Sequence, residues 1–388
     1  MIRVVHSTPV WLPVTQTWIH TQASRLPPDR VESHVVCERS ENLDQFPVPR
    51  LHDFSKAGAW ERTWDRGLRR LGLRRHLGYL ARTARRVKAD VLHSHFGDVA
   101  WANLGAARAA GCRHAATFYG YDMSRLARSP AWQSRFRQLF DGVDRVFCEG
   151  PHMARRVVEL GCPESKMRVH HLGIALERLA FRPRSWAPGK VLKVLIAATF
   201  TEKKGIPYAL EALGRLRRQV EVEVTVIGDA REESAENQSQ KRKILSTISA
   251  HGMNDRVRLL GFQPHARLIE EAYAHHVFLS PSVAAADGDT EGGAPVSILE
   301  MAASGMLVVS TRHCDIPNVL EDGRSGLLAG ERDVEGLLDR LLVAVREPQR
   351  WPDMLARARA RIEAEFDARI QGERLASHYE ALVKDSPA

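Results

Sequence analysis

The sequence predicts an α/β protein made of two doubly wound, Rossmann-like parallel-sheet domains, and three observations carry that prediction. Its 388 residues, 44% of them hydrophobic, suffice for two separate cores. Short runs rich in Val, Ile, Leu and Phe alternate with longer amphipathic stretches, which is the pattern of successive βα units. A break from Phe181 to Gly189, punctuated by Pro183 and Pro188, separates two such sets.

Taken in order, the first set places strands at Ile2–His6, Ser33–Glu38, Val91–Phe96, His114–Phe118, Arg145–Glu149 and Met167–His171. The second places them at Leu192–Ala197, Glu223–Ile227, Val257–Leu260, Val277–Leu279, Leu307–Ser310 and Gly326–Ala329. Each run is too short for a helix and is bounded by polar or Gly/Pro positions. Six strands with intervening helices are enough for one parallel sheet per domain. The expected division is residues 1–187, residues 188–365 and a helical tail, 366–388, packing back toward the first domain. Open parallel sheets bind ligands beyond the carboxyl ends of their strands, and two such domains facing each other enclose a cleft.

Charge separates the two halves. Up to Ala187 there are 30 Lys and Arg against 17 Asp and Glu; beyond it, 26 against 30. The segment Lys56 to Lys88 holds 11 basic residues and only Glu61 and Asp65 as acids. Such asymmetry suggests an anionic partner for the first half: a membrane surface, a phosphorylated ligand or nucleic acid. From Trp60 to Val87, the apolar residues Trp60, Trp64, Leu68, Leu71, Leu73, Leu77, Leu80, Ala84 and Val87 interleave with arginines at mostly helical spacing. Such a stretch either lies on an anionic membrane or packs on its own sheet with a solvated arginine face. The five scattered cysteines, Cys37, Cys112, Cys148, Cys162 and Cys314, form no Cys-x-x-Cys pair and indicate reduced thiols. No stretch approaches the ~18 apolar residues of a spanning helix, so a cytoplasmic protein is expected.

The most specific segment runs from Ser280 to Thr311. A strand ends near Leu279, a polar loop follows, and a helix begins where Pro295 suits the first helical position. Gly292 and Gly293 let backbone approach a ligand closely, and the helix start favours a phosphate. Glu291 and Glu300 flank that anion site with carboxylates suited to sugar and ribose hydroxyls.

The run Glu291…Glu300-Met-Ala-Ala-Ser-Gly-Met-Leu-Val-Val-Ser-Thr311, continued by Ile316-Pro-Asn-Val-Leu-Glu-Asp-Gly-Arg-Ser-Gly-Leu-Leu328, resembles the donor-binding signature of the retaining, GT-B-fold, nucleotide-sugar-dependent glycosyltransferases of family four. It is similar above all to bacterial members that build exopolysaccharide or other surface glycans. Trp11–Trp18, His93–Gly97, Thr117–Asp122, Glu149–His152 and Glu202–Gly205 fall where such a protein has them. The resemblance implies that Glu300 holds the donor ribose and Glu291 contacts the transferred sugar. The backbone of Gly293, Ala294, Pro295 and Val296 then lines the sugar and diphosphate, with Lys204 on the phosphates. Two departures stand out. The glutamates are one position further apart than in the family, and Thr199 stands where the family has an arginine, so Lys203 is a candidate second cation. Thr15 and Thr17, in the first loop, and Phe262, after the strand ending at Leu260, complete the expected donor set.

On the acceptor side the resemblance points to His95, at the end of its strand, and to Tyr119, where many relatives carry histidine, with Asp122 in the same loop. A phenol with a pKa near ~10 is a poor base at neutral pH but a good hydrogen-bond donor. Asp287-Gly-Asp289 invites a metal reading, yet a calcium loop fails because its twelfth position is Ile298. No metal or other cofactor is expected. The expected partners are a nucleoside diphosphate sugar, a glycan or polyprenyl-diphosphate-linked acceptor, and the inner face of an anionic membrane through Lys56–Lys88. A dinucleotide-dependent oxidoreductase shares the βα pattern but needs a G-x-G-x-x-G that the first turn lacks. A nucleic-acid-binding protein is allowed by the basic half but leaves the Glu291–Glu300 segment unexplained.

Overall fold

The computed structural model describes residues 1–12 and 17–384. Met1–Ala175 and the segment from Phe366 onward make one unit, and Leu176–Glu365 the other. The first is built on strands β1 (Ile2–Trp11), β2 (Val31–Ser40), β3 (Leu51–Asp53), β4 (Val91–His95), β5 (Arg113–Phe118), β6 (Arg145–Cys148) and β7 (Met167–Val169). They pair in parallel in the order β3-β2-β1-β4-β5-β6-β7. β4 and β6 are buried along their whole length, which is why their sequences show no polar alternation. Six strands were expected here and the described residues form seven. The added β3, Leu-His-Asp at the sheet edge, is too short to show a period.

Successive residues point to opposite faces, so adjacent valines feed different cores. Val5, Val36 and Leu92 meet Leu80, Ala84, Ala106 and Ala107 from helices Gly78–Arg86 and Gly97–Ala110. Val4, Val31, Val91, Ala115 and Phe147 meet Leu375, Ala376, Tyr379 and Leu382 of the C-terminal helix Ala368–Lys384. That helix is fastened by Ile174, whose N–H donates to the Phe366 carbonyl (2.8 Å) and whose carbonyl accepts from Ala368 N–H (3.0 Å). Arg30 pairs with Glu373 (2.6 Å) and Glu380 (2.8 Å) on the same helix.

The basic stretch after β3 splits into two helices with different environments. Gly78–Arg86 packs on the sheet. Ala59–Arg70 buries only Asp65, which accepts from the Gly78 N–H (3.1 Å) and pairs with Arg74. Its tryptophans face solvent: Trp60 is 79% and Trp64 58% exposed, their rings stacked with centroids 6.1 Å apart. Leu71 and Leu73, just past the end of that helix, are exposed as well. Among the described residues no helix is long and apolar enough to cross a membrane.

The second unit carries β8 (Leu192–Ala197), β9 (Val222–Ile227), β10 (Val257–Leu259), β11 (Val277–Ser280), β12 (Leu307–Thr311) and β13 (Leu327–Ala329). Their order is β10-β9-β8-β11-β12-β13, all parallel. The division placed near residue 187 from prolines and charge moves to Ala175/Leu176. The intervening segment is a strap on the second unit: Arg182 and Arg184 N–H donate to the Ser304 and Gly305 carbonyls (3.0 and 2.9 Å), and Trp186 is buried in the core with Leu192.

Candidate active site

Strand order creates the candidate site. β8 and β11 are neighbours from which the chain winds off in opposite directions, the switch point at which open α/β sheets hold ligands. The turn after β8 supplies Lys203 and Lys204, and the loop after β11 supplies Asp289 and Glu291. Gly205 makes this approach possible: its φ is +62° and a Cβ there would lie 1.9 Å from the Pro281 carbonyl oxygen. Only glycine fits such backbone at such a distance.

Lys204 Nζ lies 2.8 Å from Glu291 Oε2, while Ser282 Oγ donates to Oε1 at 2.7 Å. The Glu291 side chain is 7% exposed. Burial works against its charge, but Lys204, Lys203 and the Ser282 hydroxyl hold its carboxyl below the usual carboxylate range. Glu291 is therefore an ionised acceptor at neutral pH and unsuited to give up a proton. Lys203 is committed otherwise, to the Thr290 carbonyl and Asp289, both at 3.0 Å. Asp287 accepts the Asp289 N–H (2.9 Å), so the Asp-x-Asp pair shapes the loop. Thr199, half-buried just past β8, accepts the Thr201 N–H on its carbonyl (2.8 Å).

Gly292, with φ +79°, and buried Gly293 lead into the helix Val296–Ser304. Pro295 is its N-cap rather than its first residue, and among the described residues no side chain caps it. The amides of this start and the helix dipole attract an anion. Half-buried Ala294 precedes the cap. Glu300, on the same helix, is 15% exposed and pairs with His265 Nε2 at 2.8 Å, which raises the His265 pKa. Phe262, 56% exposed, stands just before that histidine in sequence. His265 escapes sequence reasoning because its pairing depends on the packing of two helices. Its position directly after Phe262-Gln-Pro264 was the available signal.

In the first unit the switch point lies between β1 and β4. His95 is fully buried there, Nδ1 hydrogen-bonded with the Tyr119 hydroxyl (2.8 Å) and Nε2 with His6 Nδ1 (3.1 Å). Burial, with the His6 charge adding to it, pushes His95 well below the usual histidine range, and burial pushes Tyr119 well above 10. Both are neutral hydrogen-bonding groups. Asp122 is a cap: its carboxylate accepts the Tyr119 N–H at 2.9 Å, and burial pushes its pKa well up. Thr15 lies outside the described residues, and Thr17 opens the helix Thr17–Ser24. His6, His93 and His95 place ligand-type atoms within 4.8 Å of one another. His93, however, spends both ring nitrogens on the Tyr379 hydroxyl and Thr117, each at 2.6 Å. His6 and His95 pair within the cluster, but buried His6 Nε2 has no hydrogen-bond partner among the described residues.

Comparison with known proteins follows this geometry. A model described as "Glycosyltransferase Family 4" matches residues 15–178, and one described as "Glycosyl transferases group 1" matches residues 192–347. A protein named as the colanic acid biosynthesis glycosyltransferase WcaL of Escherichia coli (strain K12) is 32% identical over 76% of this chain and 71% of its own length. The amylovoran biosynthesis glycosyltransferase AmsK of Erwinia amylovora is 33% identical with the same coverage. Among solved structures, Anabaena HepE in complex with UDP and glucose superposes with a TM-score of 0.78 at 15% identity, over 98% of this chain and 100% of that one. Sucrose-phosphate synthase from Thermosynechococcus elongatus gives 0.76 at 14% identity, over the whole of both chains.

Proposed function

The chain belongs to glycosyltransferase family 4, with the two Rossmann-like domains of the GT-B fold, and from that premise we propose that it transfers a sugar from a nucleoside diphosphate sugar to a glycan hydroxyl in exopolysaccharide synthesis. The relatives' names supply the pathway class, and a UDP-bound structural neighbour makes UDP the first donor to test, GDP the second. The observation that carries the reading is the Lys204–Glu291 pair at the β8/β11 switch point. A cation, a buried ionised carboxylate and an uncapped helix start together offer a diphosphate receptor beside a hydroxyl receptor.

In this reading Lys204 and the N–H groups of Gly292, Gly293, Ala294 and Val296 hold the diphosphate, Glu291 accepts from the transferred sugar and Glu300 from the ribose. Phe262 borders the base. Transfer proceeds with retention by front-face attack, the departing diphosphate taking the acceptor proton. The protein's contribution is positioning and charge stabilisation, which this reading assigns to Lys204 and the helix start rather than to a metal. His95 and Tyr119, buried and bonded to each other, with His95 also bonded to His6, do not reach an acceptor as expected from sequence; in this reading they brace the strand ends behind it.

The acceptor in this reading is lipid-linked, and the enzyme sits peripherally on an anionic membrane through Lys56–Lys88. Support comes from the outward-facing Trp60, Trp64, Leu71 and Leu73 among arginines, a composition suited to an interfacial surface. Family membership displaces the oxidoreductase and nucleic-acid readings. A thermal-shift panel of uridine, guanosine and adenosine diphosphates and their sugars tests the proposal: one nucleotide sugar should stabilise the wild type, and Glu300→Ala should abolish that shift. Stabilisation by none of them sinks it.

A further inference from the structure

The long loop between β11 and the helix Val296–Ser304 is held at two points by one pair of side chains that the donor signature does not include. His313, 2% exposed and just past β12, directs Nδ1 at Glu331 Oε1 (2.7 Å). Its other nitrogen, Nε2, faces the Glu291 backbone N–H at 3.2 Å and the Cys314 thiol at 3.2 Å. Glu331 in turn accepts the Ala284 N–H on Oε2 (2.8 Å). Burial works against the Glu331 charge, but the Ala284 N–H and His313 hold its carboxyl below the usual range, so it is an acceptor on both oxygens. The tautomer follows: ionised Glu331 accepts from His313 Nδ1–H, leaving Nε2 as the acceptor that Glu291 N–H requires.

The Cys-His-Glu order resembles a nucleophilic triad, but its chemistry differs. Burial pushes the Cys314 thiol up to about 12, and its histidine already accepts from a backbone amide. The arrangement is a clip. Glu331 fixes the loop at Ala284, His313 fixes it at Glu291, and Arg332, hydrogen-bonded to the Ala284 carbonyl and to Tyr208 (3.0 Å), braces the same corner.

Resting on the reading of Glu291 as the sugar contact, we propose that His313, oriented by Glu331, is a positioning residue that places Glu291 for the transferred sugar and leaves nucleotide binding largely untouched. The clip holds the Glu291 main chain, whereas Lys204 and Ser282 hold its carboxylate, so loss of His313 misplaces the group without removing it.

The test is calorimetric binding of UDP and UDP-glucose, and of GDP and GDP-mannose, to wild type, His313→Ala and His313→Gln, with melting temperatures recorded as a folding control. For the pair that wild type binds, His313→Ala is expected to keep its affinity for the bare diphosphate within about twofold and lose roughly tenfold for the nucleotide sugar. His313→Gln, whose amide oxygen can replace Nε2 as acceptor, should restore most of that loss. Equal weakening of diphosphate and nucleotide sugar, unchanged binding of both, or a Gln variant no better than Ala overturns the proposal. Wild type that binds none of the four ligands overturns the donor-site reading itself, and the clip's role with it.

Discussion

Lys204 and Glu291 lie 87 residues apart, and each depends on the other. Removing the lysine leaves a buried carboxylate with Lys203 as a more distant cation, a change that typically costs on the order of 3 kcal/mol. Lys204→Ala should lower the urea midpoint accordingly, whereas Lys204→Ala combined with Glu291→Gln should recover at least half of the loss. Additive effects in that cycle would show that the pair is not coupled. The two residues were legible in sequence through a glycine-flanked helix start and a family signature. Their ion pair was not, because it exists only through the strand order that sets β8 beside β11. The same holds for His265 on Glu300 and His313 on Glu291, whose partners lie on other elements. Lys203 shows the converse. Sequence made it a candidate second cation for the donor phosphates, and in the structure it pairs with Asp289 and the Thr290 carbonyl.

Elements were legible where burial dictates composition. Inner strands such as β6 and β12 are mostly apolar because both faces are covered, and β4 buries His93, Ser94 and His95 in side-chain hydrogen bonds, while edge strand β3 carries too little pattern to be seen. Periodicity also showed that Ala59–Arg70 is amphipathic, but a period cannot say which partner an apolar stripe meets. Its tryptophans prove to be outside. The double variant Trp60→Ser, Trp64→Ser should therefore change stability by no more than about 0.5 kcal/mol. It should lower retention on vesicles containing phosphatidylglycerol, in a sedimentation assay, while leaving nucleotide binding unchanged. Retention equal to wild type would remove the helix from the membrane reading. The turn after β8 behaves oppositely. Gly205→Ala adds a left-handed strain of about 1–2 kcal/mol to a clash with the Pro281 carbonyl, so both melting temperature and nucleotide-sugar binding should fall together.

The two units differ in what holds them together, and this has consequences for the whole chain. The first unit buries histidines as neutral groups: burial first, then neighbouring charges, lowers His6 and His170 to about 3, and burial lowers His114 to about 4. An unfolded chain binds these protons near the usual histidine pKa of 6.5 and the folded unit does not, so stability is full above that pH and declines as pH falls through it. Each such histidine contributes a slope of about 1.4 kcal/mol per pH unit. Urea midpoints should drop between pH 7.5 and 5.5, and His170→Leu should flatten the slope. The C-terminal helix is the larger determinant. Leu375, Tyr379 and Leu382 are buried against Val4, Val31, Val91 and Phe147, and the Tyr379 hydroxyl bonds His93. At about 1.5–3 kcal/mol for each large side chain, its removal withdraws an amount comparable to the whole stability of a domain. A fragment of residues 1–175 should therefore lack cooperative thermal unfolding, and a synthetic peptide of residues 366–384 added in trans should restore it. Residues 176–365 hold their own sheet and core, with Trp186 and Trp351 buried together in it, and should unfold cooperatively alone and respond to the same nucleoside diphosphate as the full chain. A cooperative 1–175 fragment would show that the C-terminal helix is not needed to complete the first core, and a 176–365 fragment that does not unfold cooperatively would show that the division at Ala175/Leu176 does not mark an independent folding unit.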